Sequence, residues 1–274
     1  MLKLRLIVAS MALVAASTMA FAADCKPAHE FKTITPGKLT VAIYNYPPFS
    51  MVTTDNQSSG IDFEMVKETA KANCLEAVTL NLAPAAVVQS VVSGKADVAV
   101  GAWYRSEARS KVLGISAPTY IDPMTSISKE GLDTVDAMMG KKIGTVQGYT
   151  WNGTLQKVFG TSVQLYPDGL AMYTDLEAGR VDVALDGSVA PVEAMKGGRL
   201  KGFQTKLVQS DSRIPDTVEP PQSGLLYTLG NTGLGEALDD TIIRIHKDGT
   251  LAKWLTDAGY DPKMGDVGEP RLVK

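Results

Sequence analysis

Histidine and cysteine are nearly missing from these 274 residues, with two of each. His29 and His246 stand far apart, without the neighbours that metal-ligand spacing needs, so no metal centre is expected. Both read as surface residues. No G-x-S-x-G elbow occurs to present a nucleophilic serine. Lys141-Lys142-Ile143-Gly144 is not a phosphate loop, and the GNTGLG run from Gly230 to Gly235 has the wrong spacing for a dinucleotide site and reads as a turn. No cofactor is expected. Charge of one sign is also lacking: 27 basic and 30 acidic side chains give a formal net charge of −3. No basic stripe appears, which excludes nucleic acid as the main partner. Beyond residue 22 no apolar run is long enough to cross a membrane.

What is present is enough for a folded core: 45% of the residues are hydrophobic and 21% charged. The length suits one large domain or two ordinary ones. Lys3 and Arg5 precede an uncharged apolar stretch over residues 6–19, and Ala20-Phe21-Ala22 follows as a small-x-small cleavage site. This pattern reads as an export signal cleaved near Ala22-Ala23, so the mature protein is expected in the periplasm. A membrane anchor and a lipoprotein at Cys25 are weaker alternatives, because the stretch is short and Asp24 spoils a lipobox. In an oxidising compartment Cys25 and Cys74 are expected to form one disulfide; two buried thiols are the alternative.

Along the chain, strands at 39–43, 78–82 and 97–100 alternate with helices at 61–72 and 84–92, the pattern of an open, parallel α/β sheet. Residues 115–122, broken by Pro118, read as a link. The alternation then restarts: strands at 125–128, 142–146, 163–165 and 181–185, helices at 135–139, 151–159 and 170–178. Residues 197–221 read as an irregular return, followed by a strand at 225–229 and helices at 235–246 and 251–258. The tail after Tyr260 is expected on the surface. SGKADVAVGAW and AGRVDVALDGS share one scheme, so the second half reads as built like the first. Two such lobes would bring their strand ends to one cleft.

Candidate binding residues cluster at those strand ends. After 97–100 come Gly101-Ala102, small enough for close backbone approach, then Trp103-Tyr104, and Ser106 as N-cap of a helix whose first turn carries Arg109. A planar guanidinium suits a carboxylate through two parallel charge-assisted bonds. By itself Arg109 reads rather as an exposed side chain in the first turn of a helix. Tyr44 and Tyr46 sit in a loop that Pro47 and Pro48 stiffen, a stacking wall for a ligand or a turn packed on itself. Gln147-Gly148-Tyr149-Thr150 leads into a helix whose free N–H groups can meet an anion.

Taken in order, YPPF, GIDFEM, SGKADVAVGAWYRSEAR, SAPTY, GKKIGTVQG, AGRVDVALD and KDGTLAKWL resemble the periplasmic amino-acid-binding proteins of ABC importers, solute-binding protein family 3. The resemblance runs from Leu39 to Tyr260. It implies an α/β fold of the type II periplasmic-binding-protein kind, with two lobes, two crossovers and closure on a small solute. The implied division is a signal peptide over 1–23, lobe one over 24–122 and 223–262, lobe two over 123–222, and a tail over 263–274. By the same resemblance Tyr46 lies on the ligand, Arg109 holds its α-carboxylate, and Ala102, Tyr104 and the Gly148-Tyr149 pair add hydrogen bonds. Tyr44, Trp103 and Thr150 complete the expected pocket, and Asp186 is the candidate acceptor for an α-ammonium.

The sequence departs from the family in places. Phenols stand at Tyr104 and Tyr149 where a hydroxyl is usual, and the second aromatic wall near Pro84 is missing. Asp186 comes four residues after Asp182, where the family places its acid five after, and a one-residue slip turns a side chain to the other face. The expected partners are a small carboxylate-bearing solute, of which an amino acid is the first candidate, and the membrane permease of an ABC importer, with the protein itself a monomer. The alternatives are an exported dehydratase of the cyclohexadienyl or arogenate kind, with Asp186 as its general acid, and a ligand-sensing partner of a membrane receptor.

Overall fold

In the computed structural model residues 25–53, 55, 57–219 and 221–273 are described. The expected signal and its cleavage site lie outside them. The first part of the chain forms β1 (Lys38–Ile43), a small hairpin of β2 (Met51–Val52) and β3 (Ser58–Ser59), and α1 (Ile61–Ala72). It continues with β4 (Glu76–Asn81), α2 (Pro84–Val92), β5 (Val98–Ala99), α3 (Glu107–Ser110) and β6 (Leu113–Ile115). The middle part runs β7 (Met124–Ser128), α4 (Val135–Met138), β8 (Ile143–Val146), α5 (Asn152–Phe159), β9 (Val163–Tyr166) and α6 (Gly169–Glu177). Then come β10 (Val183–Gly187), α7 (Ala190–Lys196) and β11 (Gln204–Leu207). The chain closes with β12 (Leu226–Thr228), α8 (Thr232–Lys247) and α9 (Thr250–Asp257).

These strands make two five-stranded sheets with one layout. In the first the order is β4-β1-β5-β12-β6, with β1 parallel to β4 and β5, and β12 antiparallel to β5 and β6. In the second it is β9-β8-β10-β7-β11, with β8 parallel to β9 and β10, and β7 antiparallel to β10 and β11. The parallel centres are apolar because helices cover both faces. Leu39, Val41, Ala42 and Ile43 of β1 are fully buried. Along β10 the faces alternate: Val183 and Leu185 enter one core cluster and Ala184 another, as a period of two dictates.

The repeated Asp-Val-Ala scheme has a shared local cause. Asp97 Oδ2 accepts from the Thr40 N–H at 2.8 Å, and the Asp97 N–H donates to Thr40 O at 2.8 Å. Asp182 repeats the exchange with Lys142, at 2.8 Å in each direction. Each aspartate thus locks the entry of its strand to the neighbouring strand.

Between the sheets the chain crosses twice. The crossovers pair with each other: Ile121 bridges Gln222, the Ser223 N–H donates to Tyr120 O at 2.8 Å, and the Thr119 N–H donates to Ser223 O at 2.9 Å. The tail is mostly exposed, as expected, yet it is tied down. The Ile121 N–H donates to Met264 O at 2.8 Å, Gln222 Nε2 donates to Val267 O and Glu269 O, each at 2.8 Å, and Val273 bridges Ser106. Cys25 and Cys74 form a disulfide with Cα atoms 5.9 Å apart.

Three elements differ from the sequence reading. The return over 197–221 contains β11, an exposed edge strand of sequence QTKL whose polar character hides it. Helix α7, opening on Ala190-Pro191, is too short to show a period. GNTGLG is only half a turn: α8 begins at Thr232, and a side chain at Gly235 would strike the Tyr227 hydroxyl. His246 is half-buried rather than exposed, and burial holds its pKa below the usual imidazole value.

Candidate functional site

Arg109 is placed by its own helix cap. Ser106, in extended conformation, accepts the Arg109 N–H at 3.3 Å and opens α3. The guanidinium then points inward: Arg109 is 9% exposed and lies 5.0 Å over the Trp103 ring. Its Nη1 donates to Tyr104 O at 2.7 Å, and its Nη2 reaches Gly148 O of the other lobe at 3.1 Å. Burial lowers its pKa to about 10, so it stays charged at neutral pH. The surface reading of Arg109 is excluded.

Around it lies a close-walled chamber. Tyr44, Tyr46 and Trp103 form one side, with Tyr44 to Trp103 at 5.2 Å and Tyr44 to Tyr46 at 5.7 Å between centroids. Tyr104, Tyr149 and Trp151 form the other, Trp151 lying edge-on to both at 5.4 and 5.0 Å. Ala102, Thr150 and Asp122 complete the lining. The chamber volume is about 20 Å³, room for about one water, so a larger guest enters only if the lobes part. Thr150 Oγ1 is enclosed and has no hydrogen-bond partner among the described residues.

The backbone corner at Gly101-Ala102 is held under strain. Ala102 has φ 55°, a left-handed value that costs a residue with a Cβ. A Cβ at Gly101 would lie 2.1 Å from the Tyr44 ring. Asp62 of α1 holds the corner: its Oδ2 accepts both the Gly101 and the Ala102 N–H at 2.9 Å, and its Oδ1 accepts the Tyr120 hydroxyl at 2.6 Å. Of the backbone around Ala102, expected to add hydrogen bonds to a ligand, the Gly101 and Ala102 N–H groups are committed to Asp62. Burial raises the Asp62 pKa to about 6.

Two further carboxylates face the cleft from the second lobe and the crossover. Asp186 accepts from the Tyr173 hydroxyl at 2.6 Å, the Tyr149 hydroxyl at 3.0 Å and the Gly187 N–H at 2.8 Å; burial raises its pKa to about 6. It does not line the Arg109 chamber. It lines a wider cavity of about 550 Å³ next door, together with Asn45, Asn81, Glu193 and Arg199. The two spaces share Tyr44, Tyr46 and Tyr149 as a partition. Asp122, at the end of the first crossover, lines the Arg109 chamber instead. Its Oδ1 accepts the Ser188 N–H and hydroxyl at 2.7 and 2.8 Å, and its Oδ2 accepts the Tyr46 hydroxyl at 2.7 Å. The Tyr104 hydroxyl donates to Asp122 O.

Of the residues singled out in the sequence, Tyr44, Tyr46, Ala102, Trp103 and Tyr104 meet Arg109, Tyr149 and Thr150 in one chamber, with Gly148 bonded at its edge. Asp186 is separate. Asp122 and Trp151 were not singled out. Nothing local marks an acid at the end of a proline-broken link as inward-facing, and Trp151 reads as a helix start.

Residues 39–257 match the profile of the bacterial extracellular solute-binding proteins, family 3. The chain belongs to that family. It is 30% identical over 219 residues to the L-cystine-binding protein TcyJ of Escherichia coli K12, covering 77% of this chain and 79% of the relative. The histidine-binding periplasmic protein of the same strain is 24% identical over 228 residues, covering 79% and 81%. Among solved structures, the amino-acid ABC transporter substrate-binding protein AbpA of Streptococcus pneumoniae, bound to L-arginine, superposes with a TM-score of 0.71 at 26% identity, covering 84% of this chain and 96% of that one.

Proposed function

We propose that this protein is exported to the periplasm, captures an α-amino acid by closing its two lobes, and hands it to the membrane permease of an ABC importer. The observation that carries the reading is the buried Arg109. A guanidinium has five N–H donors, and two are drawn off by the Tyr104 and Gly148 carbonyls. The remaining donors, with the unpartnered Thr150 hydroxyl beside them, suit a carboxylate. Relatives named for cystine and histidine, and a solved neighbour bound to L-arginine, support an amino acid as the solute. The wider cavity beyond Tyr44 and Tyr149, with its mixed charges, would take a polar side chain. Residues 1–23 serve as the leader, 24–122 with 223–262 as lobe one, 123–222 as lobe two, and 263–274 as a tail.

Closure follows from a bond that spans the lobes. Arg109 Nη2 on Gly148 O joins the first lobe to the second, so it is made when the lobes meet. A solute that binds the closed arrangement better than the open one shifts the population by that difference. Arg109→Ala is expected to weaken binding of the tightest member of a panel of L-cystine, L-arginine and L-histidine by about 100-fold or more, measured calorimetrically. An unchanged dissociation constant overturns the reading. Recovery of the probe unaltered after long incubation is the expected sign of binding without turnover.

A further inference from the structure

We infer that the acceptor for the solute's ammonium group is Asp122, delivered from the first crossover, and not Asp186 of the second-lobe strand. The inference rests on the proposed amino-acid ligand and adds the residue that recognises its second charge. The two acids share a cleft but differ in what they offer. Asp186 opens on the wider cavity and does not line the Arg109 chamber. Asp122 lies in the same chamber as Arg109, so the two opposite charges that a zwitterion needs line one space.

The bonding of Asp122 leaves its charge unbalanced. Two donors from Ser188 go to Oδ1 and the Tyr46 hydroxyl to Oδ2, and the Val189 N–H adds a fourth; all four are neutral groups, so none of them cancels the charge. Asp122 is 1% exposed, and no cationic side chain among the described residues bonds to it. A buried carboxylate without a counter-charge is costly, and an entering ammonium would supply one.

Gly187 is the third part of the arrangement. A Cβ there would sit 2.0 Å from the Tyr46 hydroxyl and 2.4 Å from Asp122 Oδ2. Any side chain at 187 would therefore expel the pair. Position 187 is five residues after Asp182, where the family resemblance puts its acid. In this chain that place is glycine, and a carboxylate from another segment fills the space.

The test compares the tightest-binding amino acid of the panel with its desamino analogue, which keeps the carboxylate and side chain but lacks the ammonium. In the wild type the amino acid is expected to bind far better than the analogue. Asp122→Asn keeps the shape and removes the charge; it should weaken the amino acid at least about thirtyfold and leave the analogue nearly unchanged. Gly187→Ala, which displaces the carboxylate without removing it, should give the same selective loss and serves if Asp122→Asn does not fold. Asp186→Asn should leave the preference intact. A variant at 122 or 187 that keeps the full preference, or an Asp186→Asn that abolishes it, overturns the assignment. Arg109→Ala separates the two readings, because it should weaken amino acid and analogue alike. If it weakens neither, the amino-acid function falls and this assignment falls with it.

Discussion

β5 and β10 follow the same Asp-Val-Ala scheme at equivalent places in the two sheets, and they agree at one end and part at the other. At the entry Asp97 and Asp182 make the same two-way exchange with the neighbouring strand. Beyond the exit of β5 the Gly101 and Ala102 N–H groups go to Asp62 of α1, whereas Asp186, next to last in β10, takes the Gly187 N–H itself. Strand entries answer to the sheet, which both lobes need in the same form. Strand exits face the cleft, where each lobe has a different part to play.

The comparison can be broken most forcefully at the disulfide, since only lobe one carries one. Cys25–Cys74 closes 49 residues of chain, a loop worth about 4 kcal/mol in the unfolded state. Replacing both cysteines by serine should lower the stability of lobe one by roughly that amount. Unfolding followed at Trp103 should then precede unfolding at Trp151; coincident transitions would show the lobes unfold as one unit.

The matched entry aspartates give a smaller effect. Asp97 is buried and also accepts the Ile34 N–H at 2.9 Å, while Asp182 is exposed with a single N–H to satisfy. Asp97→Ala should cost about 2–3 kcal/mol and Asp182→Ala less than about 1 kcal/mol in urea unfolding. Equal costs would mean that the exchange, not the burial, sets its worth.

The smallest effect is a pH slope shared by both lobes. Burial raises Asp62 and Asp186, one in each lobe, well above the usual aspartate range to about 6, and Asp216 likewise to about 6. The folded protein thus takes up protons near pH 6 that the unfolded chain takes up only lower. These groups add stability as pH falls through 6 and lose it as pH rises through 6. His246, held below its usual value by burial, opposes them. With Asp97, Asp122 and Asp239 also raised by burial, the carboxyls outweigh the one imidazole and should give a higher melting temperature at pH 5.5 than at pH 7.5. Asp62→Asn and Asp186→Asn should each flatten the slope.

Much of this architecture is legible in the chain. α1 and α2 begin and end where the periodicity places them, since a buried stripe and a leading proline are local signals. β11 is not legible, because an edge strand with one face in water needs no apolar pattern. The chamber divides the same way. Arg109 is announced by its cap and the aromatics before it, and Tyr46 by its stiffened loop. Asp122 gains its meaning only from where the first crossover lands beside Gly187, which no spacing in the sequence records. The one-residue displacement of Asp186 was the visible sign that something else stands in its place.

The position of β12 has a consequence for how the molecule is made. Lobe two draws all five strands from one uninterrupted stretch, 124–207, so its pairings are local. Lobe one needs β12 between β5 and β6, and Leu226 must return to pair with Ala99. Closing so long an excursion is slow in entropic terms, and contact order predicts that lobe two gains its sheet first. Until the return is made, β5 and β6 each present an unpaired edge to other chains. The strand that completes the first lobe is therefore also its protection against aggregation during folding.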